Sequence, residues 1–455
     1  LVTVAAIVIG SLAAFKVGGV FDRIATFFSL IGASAPDFWI AIVAIVIFAV
    51  NLHWLPTSGT GTALHWVLPV AVLFIRNQVR AIERLADAAE DRLGEHGLAL
   101  RDLGVLGPED PAASHFAAAV ERGFYETVPT GAALRQQLEA HAADGRRRLG
   151  VYAPGDDPAA RRPAATFEDF VQPLTTWPGR TVDAWLITDV TVSPDARRRG
   201  VLRAMMLRSL ADARDAGLCA AALTATEAAI YGRFGFGAAT RWHAVRIDVS
   251  GAPAFTGAPA GGRVTVEEPR EIPGLVDELY GRVLPATPGS VQRTSFSVPR
   301  WEDREASRNE GRGSGLYAAV HRDDDGRVQG VALYRFEGWE KEPPTITVTA
   351  FLAATADARR GLVHHLARLD LVERIEWGRA PEPGWLEALF VDERRVSRHR
   401  GSDDLYLRVL NLPAAMAARG WAGDGEVVVA VEDALGAIDG TWRLTVRQGR
   451  GAAER

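Results

Sequence analysis

The residues best suited to binding an anion stand in one short stretch, between residues 190 and 200. Three consecutive arginines, Arg197, Arg198 and Arg199, directly precede Gly200, and the apolar run Asp183–Val192 leads into them. A helix that opens after a strand points several backbone N–H groups at one spot, and guanidinium groups bind phosphate oxygens in pairs. Arginines at a helix start oppose the helix dipole, by about 0.3–1 kcal/mol each, unless an anion is bound. The pattern therefore predicts a phosphate-binding turn, with a solvated helix start as the alternative.

Tyr231 is the second residue that could do chemistry. A phenol can donate a proton to a departing group, but Tyr231 follows Ile230 and is followed by Phe234 and Phe236. In such surroundings an arbitrary tyrosine more often packs in a core than reacts. The residues alone therefore favour packing for Tyr231, and Phe234 and Phe236 are also predicted to pack in the core.

These side chains need a strand, a turn and a helix to hold them. Pro194 fixes the backbone in the turn, and apolar residues then repeat at helical spacing from Val201 to Leu210. Gly200 lets a backbone approach phosphates closely. Upstream, the pattern predicts an α/β (α+β) fold with strands at 98–103, 149–153, 165–174 and 183–192 and helices at 111–122 and 131–143. Further along the chain, it predicts a helix at 273–283 and strands at 425–431 and 440–447.

The turn resembles motif A of the GCN5-related N-acetyltransferase (GNAT) superfamily, Gln/Arg-x-x-Gly-x-Gly/Ala. It reads Arg197-Arg-Arg-Gly-Val-Leu202 here, and Leu202 departs from the usual Gly or Ala. The Eis-like (enhanced intracellular survival) acetyltransferases of actinobacteria tolerate that departure. Three more stretches are similar to that branch: Ala228–Gly237, Pro288–Arg293 and Asp404–Pro413.

The resemblance implies acetyl-CoA as the co-substrate and direct acetyl transfer to an amine. Tyr231 would be the general acid that protonates the departing thiolate, and a backbone N–H between Val190 and Val192 would stabilise the oxyanion. Cys219 would be dispensable. The resemblance implies coenzyme contacts from Val190, Val192, Arg197, Arg198, Arg199, Gly200 and Leu202.

The general base is not assigned by the sequence. The resemblance to the Eis-like branch implies that the chain's terminal carboxylate serves the amine, but we expect the third domain to be incomplete at Arg455. Four carboxylates, each more often a solvated surface group, could attract an amine: Glu126, Glu168, Asp169 and Asp183.

Composition narrows the class of protein. The 455 residues carry a net charge of -5, which gives no global reason to bind nucleic acid. The single cysteine, Cys219, excludes an internal disulfide framework and a cysteine-built zinc site, so we expect a cytoplasmic catalytic part with no metal.

Residues 1–80 differ from the rest, because apolar runs dominate them. They predict transmembrane helices, with a buried helical hairpin as the alternative. The stretches Gly32–Phe38 and His53–Gly59 resemble the membrane subunit of dipeptide-type ABC importers, although no ATPase-coupling loop follows. Inner-membrane anchoring through this segment is one interpretation, and a fused or misassembled reading frame is the other.

The predicted organisation has five parts. The stretch Ala356–Gly361 echoes the arginine turn but loses one arginine, so the second GNAT unit should be inert. The chain begins at Leu1 inside an apolar run, and too little chain follows residue 404 for a complete domain. We therefore expect the sequence to be a fragment of a longer protein, truncated at both ends. The parts are a permease-like segment at 1–80, a solvated linker helix at 81–97, a catalytic GNAT domain at 98–255, a degenerate GNAT domain at 256–403 and a truncated sterol-carrier-protein-like domain at 404–455.

The resulting expectation is an acetyl-CoA-dependent N-acetyltransferase for polyamine-like molecules, aminoglycosides or exposed lysines. Its soluble part should form a homo-oligomer, as the resembling family does. Two other classes stay open: a membrane transport component with a ligand-binding extension, and a non-catalytic acyl-CoA-binding module.

Overall fold

A computed structural model describes residues 81–257, 261–295, 315–380 and 384–455. The predicted membrane segment and the permease resemblance, at residues 1–80, lie outside the described residues. Among the residues that the structure describes, none of the helices has the length and hydropathy that a membrane crossing requires.

The first unit alternates strands and helices, as the sequence predicts. Helix 131–143 has the predicted bounds, and the strand predicted at 183–192 begins three residues earlier. The elements are α1 (Ala81–Glu95), β1 (Ala99–Val105), α2 (Pro111–Gly123), α3 (Gly131–Ala143), β2 (Arg147–Tyr152), β3 (Ala165–Trp177), β4 (Arg180–Val192), α4 (Val201–Asp215), β5 (Ala220–Thr224), α5 (Ala228–Tyr231), β6 (Gly237–Ala238) and β7 (Arg241–Asp248).

Helix α1 differs from the solvated linker that its charges predict. Ile82, Ala86, Ala89 and Leu93 recur at helical spacing and are buried in the core shared with α4. Its charged residues occupy the opposite face, which is the amphipathic pattern of a helix packed on a domain. Helix α1 is therefore part of the first unit.

The second unit repeats the same plan. Helix α6 has the predicted bounds. Its elements are β8 (Arg263–Glu267), α6 (Pro273–Val283), β9 (Leu316–Arg322), β10 (Val328–Phe336), β11 (Thr345–Ala353), α7 (Ala356–Leu366), β12 (Arg374–Ala380) and β13 (Val396–Asp403).

Each unit has a seven-stranded sheet with one parallel pair. The first sheet has the order β1-β2-β3-β4-β5-β14-β6, where β14 is Leu405–Val409, and β4 runs parallel to β5. The second has the order β13-β7-β12-β11-β10-β9-β8, and β11 runs parallel to β12. A helix crosses between the parallel strands in both, α4 in the first and α7 in the second.

The sheets do not follow the domain boundaries that the sequence predicts at 255/256 and 403/404. Strand β14 lies antiparallel between β5 and β6 of the first sheet, although it follows the second unit in sequence. Strand β7, predicted within the first unit, pairs with β12 and β13 of the second sheet. Backbone groups bond to whichever strand is adjacent in space, and sequence proximity does not report that adjacency.

The last segment contains α8 (Leu412–Ala418) and an antiparallel sheet of β15 (Gly425–Val431), β16 (Gly440–Arg447) and β17 (Arg450–Glu454). The Thr176 hydroxyl, near the end of β3, donates a hydrogen bond to the Ala418 carbonyl oxygen at 3.0 Å. The segment thus packs against the first unit. Its likeness to a sterol carrier protein stays a prediction.

Candidate active site

A cleft opens where β4 and β5 stop pairing. The parallel ladder ends at the pair Ile187 and Leu223, while β4 continues to Val192. A bulge accompanies the separation, because β4 places two residues, Asp189 and Val190, opposite one residue of β3. Bulged strands carry backbone groups that the ladder does not use. The backbone around Val190 is thereby available to a ligand in the cleft.

The turn between β4 and α4 has the geometry that anion binding requires. Arg198 and Gly200 both have positive φ, at 62° and 79°, and α4 begins at Val201. The Arg197 Nε atom donates a hydrogen bond to the Val192 carbonyl oxygen at 3.2 Å, which closes the turn over the strand end. A Cβ at Gly200 would meet no atom within 4 Å, so its backbone conformation, rather than space, requires glycine.

The cleft forms a cavity of about 990 Å³ that connects this turn to α5. Arg199 is the one predicted site residue outside its wall, and it lines a second cavity of about 270 Å³ beside α1. The other seven predicted residues all line the first cavity: Val190, Val192, Arg197, Arg198, Gly200, Leu202 and Tyr231.

Tyr231 ends α5 on the cavity wall and is only 9 % exposed. Its ring packs edge-on against Phe236, with ring centroids 6.3 Å apart. Burial, with a smaller contribution from Glu227, raises the pKa of Tyr231 above its ordinary value. The phenol therefore holds its proton at neutral pH, as a general acid must. Phe234 and Phe236 are buried in the core, as predicted.

Cys219 is buried just before β5 and does not line the cavity. Burial raises the pKa of its thiol, which keeps the thiol protonated. A buried thiol away from the cleft is unsuited to nucleophilic catalysis.

Two of the four candidate carboxylates belong to a buried charge network instead of a solvated surface. Glu168 accepts hydrogen bonds from Arg148 Nε at 2.9 Å and from Arg146 Nη1 at 3.3 Å. Asp169 accepts two hydrogen bonds from Arg147, each at 2.8 Å. None of the four carboxylates, including Glu126 and Asp183, lines the cavity.

This network extends to Asp189, which the sequence analysis does not single out. Its carboxyl lies 3.6 Å from Arg146 Nη1, its φ is 52°, and its side chain is 20 % exposed. Burial and the neighbouring charge of Glu168 raise the pKa of Asp189 to about 8. Glu168 shows the opposite direction: burial opposes its ionisation, but His141 and the two arginines lower its pKa. The proton of the pair therefore resides on Asp189, at the bulge that opens the cleft.

The same carboxylates form the one grouping of potential metal ligands among the described residues. Atoms of His141, Glu168 and Asp189 lie within 4.8 Å of one another. Glu168 is already occupied by two arginines, whose positive charges oppose a cation at this place. The grouping is suited to holding a proton rather than a metal ion.

The second unit lacks the arginine turn. Thr355 caps α7 by accepting a hydrogen bond from the Ala358 N–H, and the echo Ala356–Gly361 lies inside the helix. No loop with positive φ precedes the helix there, in contrast to Arg198 and Gly200. This geometry supports the prediction that the second unit is inert.

Comparisons with known proteins point to one family. Two models, each described as an acetyltransferase (GNAT) domain, match residues 112–239 and 289–409. An uncharacterized N-acetyltransferase of Streptomyces avermitilis is 35 % identical over 313 residues, which cover 66 % of this chain and 72 % of the relative. The N-acetyltransferase Eis of Mycobacterium tuberculosis is 34 % identical over 270 residues, or 57 % of this chain and 63 % of Eis.

Solved structures agree with these sequence matches. The crystal structure of Eis1 from Mycobacterium abscessus superposes with a TM-score of 0.65 and 27 % identity, covering 78 % of this chain and 85 % of that one. A GCN5-related N-acetyltransferase from Kribbella flavida has the same fold, with a TM-score of 0.57 and 20 % identity over 79 % of this chain and 84 % of that one.

Proposed function

We propose the function from one premise: the chain belongs to the GNAT family of N-acetyltransferases, in its Eis-like branch. GNAT domains use acetyl-CoA as a co-substrate. This chain transfers the acetyl group to a primary amine of a small molecule, a polyamine or an aminoglycoside-like compound, with the first unit as the catalytic one.

A single observation carries the proposal. One continuous cavity joins the arginine turn at Arg198 and Gly200 to the buried phenol of Tyr231. Phosphate oxygens are matched by the guanidinium groups and by the N–H groups at the start of α4. The conformation of Gly200 leaves open space beside its backbone, so the residues fit a bound pyrophosphate.

The residues that line the cavity have separate roles in the transfer. Acetyl-CoA supplies an activated thioester, which an amine attacks directly. The backbone at Val190 stabilises the oxyanion, because this residue lies in the bulge opposite β3 and beyond the last pair with β5. Tyr231 donates a proton to the departing thiolate sulfur, and the proton that the attacking amine releases restores the phenol. No covalent bond to the protein is required.

The cavity wall favours a cationic acceptor with several amines. Glu227 lines the cavity next to Tyr231 and attracts a protonated amine. Phe124 and Tyr125, 40 % and 84 % exposed, line the same cavity and offer aromatic faces to a cation. Lysine side chains of a protein satisfy the same chemistry only when they reach the mouth of the cavity.

The test uses the full chain with acetyl-CoA and either a polyamine or an aminoglycoside. We expect thiol release together with an acetylated amine in mass spectra. Tyr231→Phe should lower kcat roughly 100-fold or more, the range for loss of a general acid. Tyr152→Phe is the control, because Tyr152 is also a buried tyrosine of the first unit, in β2, and does not line the cavity.

The outcomes separate the alternatives. Acetyl-CoA binding without thiol release, across both amines, would identify a non-catalytic acyl-CoA-binding module. Full activity of Tyr231→Phe would remove Tyr231 as the acid while leaving the transfer reaction in place.

A further inference from the structure

We infer that Thr166 is a positioning residue, which orients the backbone N–H of Val190 toward the oxyanion that forms during transfer. The inference rests on the proposed function, because it assigns Thr166 a part in the same reaction. Thr166 lies in β3, is fully buried and does not line the cavity. Its effect on the reaction is therefore transmitted through the backbone of β4.

The Thr166 hydroxyl bonds to the bulged segment of β4. Its Oγ1 atom donates a hydrogen bond to the Asp189 carbonyl oxygen at 2.8 Å. Thr166 Oγ1 also lies 2.7 Å from Thr191 Oγ1. A hydroxyl has one proton to donate and a carbonyl oxygen can only accept, so Thr191 is the donor to Thr166. The two hydroxyls thus form a chain of hydrogen bonds that ends on the Asp189 carbonyl.

The Asp189 carbonyl and the Val190 N–H belong to one peptide unit. This unit is trans and planar, so its C=O and its N–H point in opposite directions. A carbonyl held on Thr166 therefore directs the Val190 N–H away from Thr166. Val190 itself lines the cavity. The orientation of the N–H proposed to bind the oxyanion is thus set by a hydrogen bond on the other side of the same peptide.

A side chain is needed for this task because the regular pairing of β3 and β4 is interrupted here. The register shifts between Thr166 and Glu168 of β3, where Asp189 and Val190 together oppose one residue. Asp189 has φ of 52°, in the left-handed region that non-glycine residues seldom adopt. Rotation of the peptide about its flanking bonds would turn its N–H to the opposite side. The hydrogen bond from Thr166 opposes that rotation.

Helix α2 fixes the outer hydroxyl of the chain of hydrogen bonds. A Cβ at Gly123, the last residue of α2, would lie 2.4 Å from the Thr191 Cβ atom, so the helix end packs directly on this side chain. Thr191 is buried, and a closely packed β-branched side chain is confined to one rotamer. Its hydroxyl therefore stays within reach of Thr166 before a ligand arrives, which is the preorganisation that an oxyanion site requires.

The test compares variants of the full chain by their kcat and their KM for acetyl-CoA. Thr166→Val keeps the shape of the side chain and removes the hydroxyl. We expect its kcat to fall roughly 10- to 100-fold and its KM to change less than about 3-fold, because the N–H acts mainly in the transition state. Thr166→Ser restores the hydroxyl and should return kcat to within about 3-fold of the wild type.

Thr175→Val is the matched control. Thr175 lies in the same strand, is equally buried, and its hydroxyl also donates to a backbone carbonyl oxygen, that of Leu284, at 2.7 Å. It lies outside the bulge and does not line the cavity. The substitution removes the same kind of hydrogen bond, so kcat should stay near that of the wild type even where the melting temperature falls.

A further pair of variants keeps the test decisive if Thr166→Val does not fold. Thr166→Ser and Thr166→Cys differ in one atom, and a thiol is a weak donor. We expect kcat of Thr166→Cys to lie roughly 10-fold below that of Thr166→Ser, with similar KM for acetyl-CoA.

The outcomes separate this inference from the proposed function. Wild-type kcat in Thr166→Val, or equal kcat in the serine and cysteine variants, would overturn the inference while transfer by the wild type stands. An equal loss of kcat in Thr175→Val would also overturn it, because any buried threonine of β3 would then have the same effect. Absence of acetyl transfer by the wild type would overturn both.

Discussion

At the residue scale, two groups of side chains lie at the opening of the cleft: the arginine turn, and the buried charge network that extends to Asp189. Local spacing determines the turn, because Arg197, Arg198 and Gly200 act within one loop. The network depends on the register between β2 and β3, where Arg148 stands opposite Glu168. A run of arginines in one predicted strand and adjacent acids in the next is the signal that would have indicated it. The position of Asp189 in this network also depends on the bulge in β4, and no sequence pattern indicated that bulge.

Asp189 gives the stability a pH dependence of known sign. Its pKa is about 8 in the folded protein against an ordinary 3.8, so between these values the folded state holds a proton that the unfolded state has lost. Stability therefore falls as pH rises toward 8, by at most about 1.4 kcal/mol per pH unit. Glu168 acts oppositely, because its pKa is lowered, and its contribution is complete once the pH exceeds its ordinary value. The window for Asp189 alone is therefore pH 5 to 8.

We expect Asp189→Asn to remove this fall in stability, since an amide does not ionise. Thermal melting at pH 5, 6.5 and 8 measures this effect. The melting temperature of the variant should rise relative to that of the wild type as pH rises. Asp183→Asn, exposed on the same strand, is the control. Parallel melting profiles for Asp189→Asn and the wild type would show that Asp189 does not titrate in this range.

At the element scale, periodic segments were predictable and strand pairing was not. Helices α3 and α6 and strands β15 and β16 have the predicted bounds, because apolar spacing and flanking glycine or proline define them locally. The position of β14 depends on which sheet edge is free in space. Strand β14 also delivers Arg408, whose guanidinium is buried and pairs with Asp433 at 2.6 Å. Burial opposes ionisation of Asp433, but Arg408 lowers its pKa overall.

The ion pair between Arg408 and Asp433 restrains the loop that follows Tyr231. Gly235 has φ of 80°, and a Cβ there would lie 2.3 Å from Arg408 Nη1. Because Asp433 fixes the guanidinium, Gly235→Ala should destabilise the protein by about 2–4 kcal/mol and lower kcat by displacing α5. Melting temperature and thiol release measure the two effects.

The matched control is Gly232→Ala, three residues earlier in the same segment. Its φ is −56°, and a Cβ there would meet no atom within 4 Å. We expect near wild-type stability and activity. If Gly235→Ala behaved the same way, the contact between Arg408 and the loop would not restrain α5.

At the scale of the whole molecule, the two units are joined by more than the chain between them. Each sheet contains a strand from beyond the predicted boundary, β14 in the first and β7 in the second. The distal part of β3 also bonds to the second unit, through Thr175 N–H to the Ser290 carbonyl oxygen at 2.9 Å and Gly289 N–H to the Thr175 carbonyl oxygen at 2.8 Å. The stretch Pro288–Arg293, similar to the Eis-like branch, therefore joins the units.

The domains predicted from the sequence should accordingly fail as separate proteins. A fragment of residues 98–255 lacks β14, so β6 has no partner strand and β5 keeps only its pairing with β4. The fragment also lacks the α1 surface that covers α4. We expect it to aggregate or to unfold without a cooperative transition, whereas residues 81–455, which contain every described element, should melt in one transition that acetyl-CoA raises. Circular dichroism and calorimetry compare them. A sharp transition and normal acetyl-CoA binding in the 98–255 fragment would mean that this unit folds without β14 and α1. Loss of both the transition and acetyl-CoA binding would mean that the catalytic site forms only in the assembled chain.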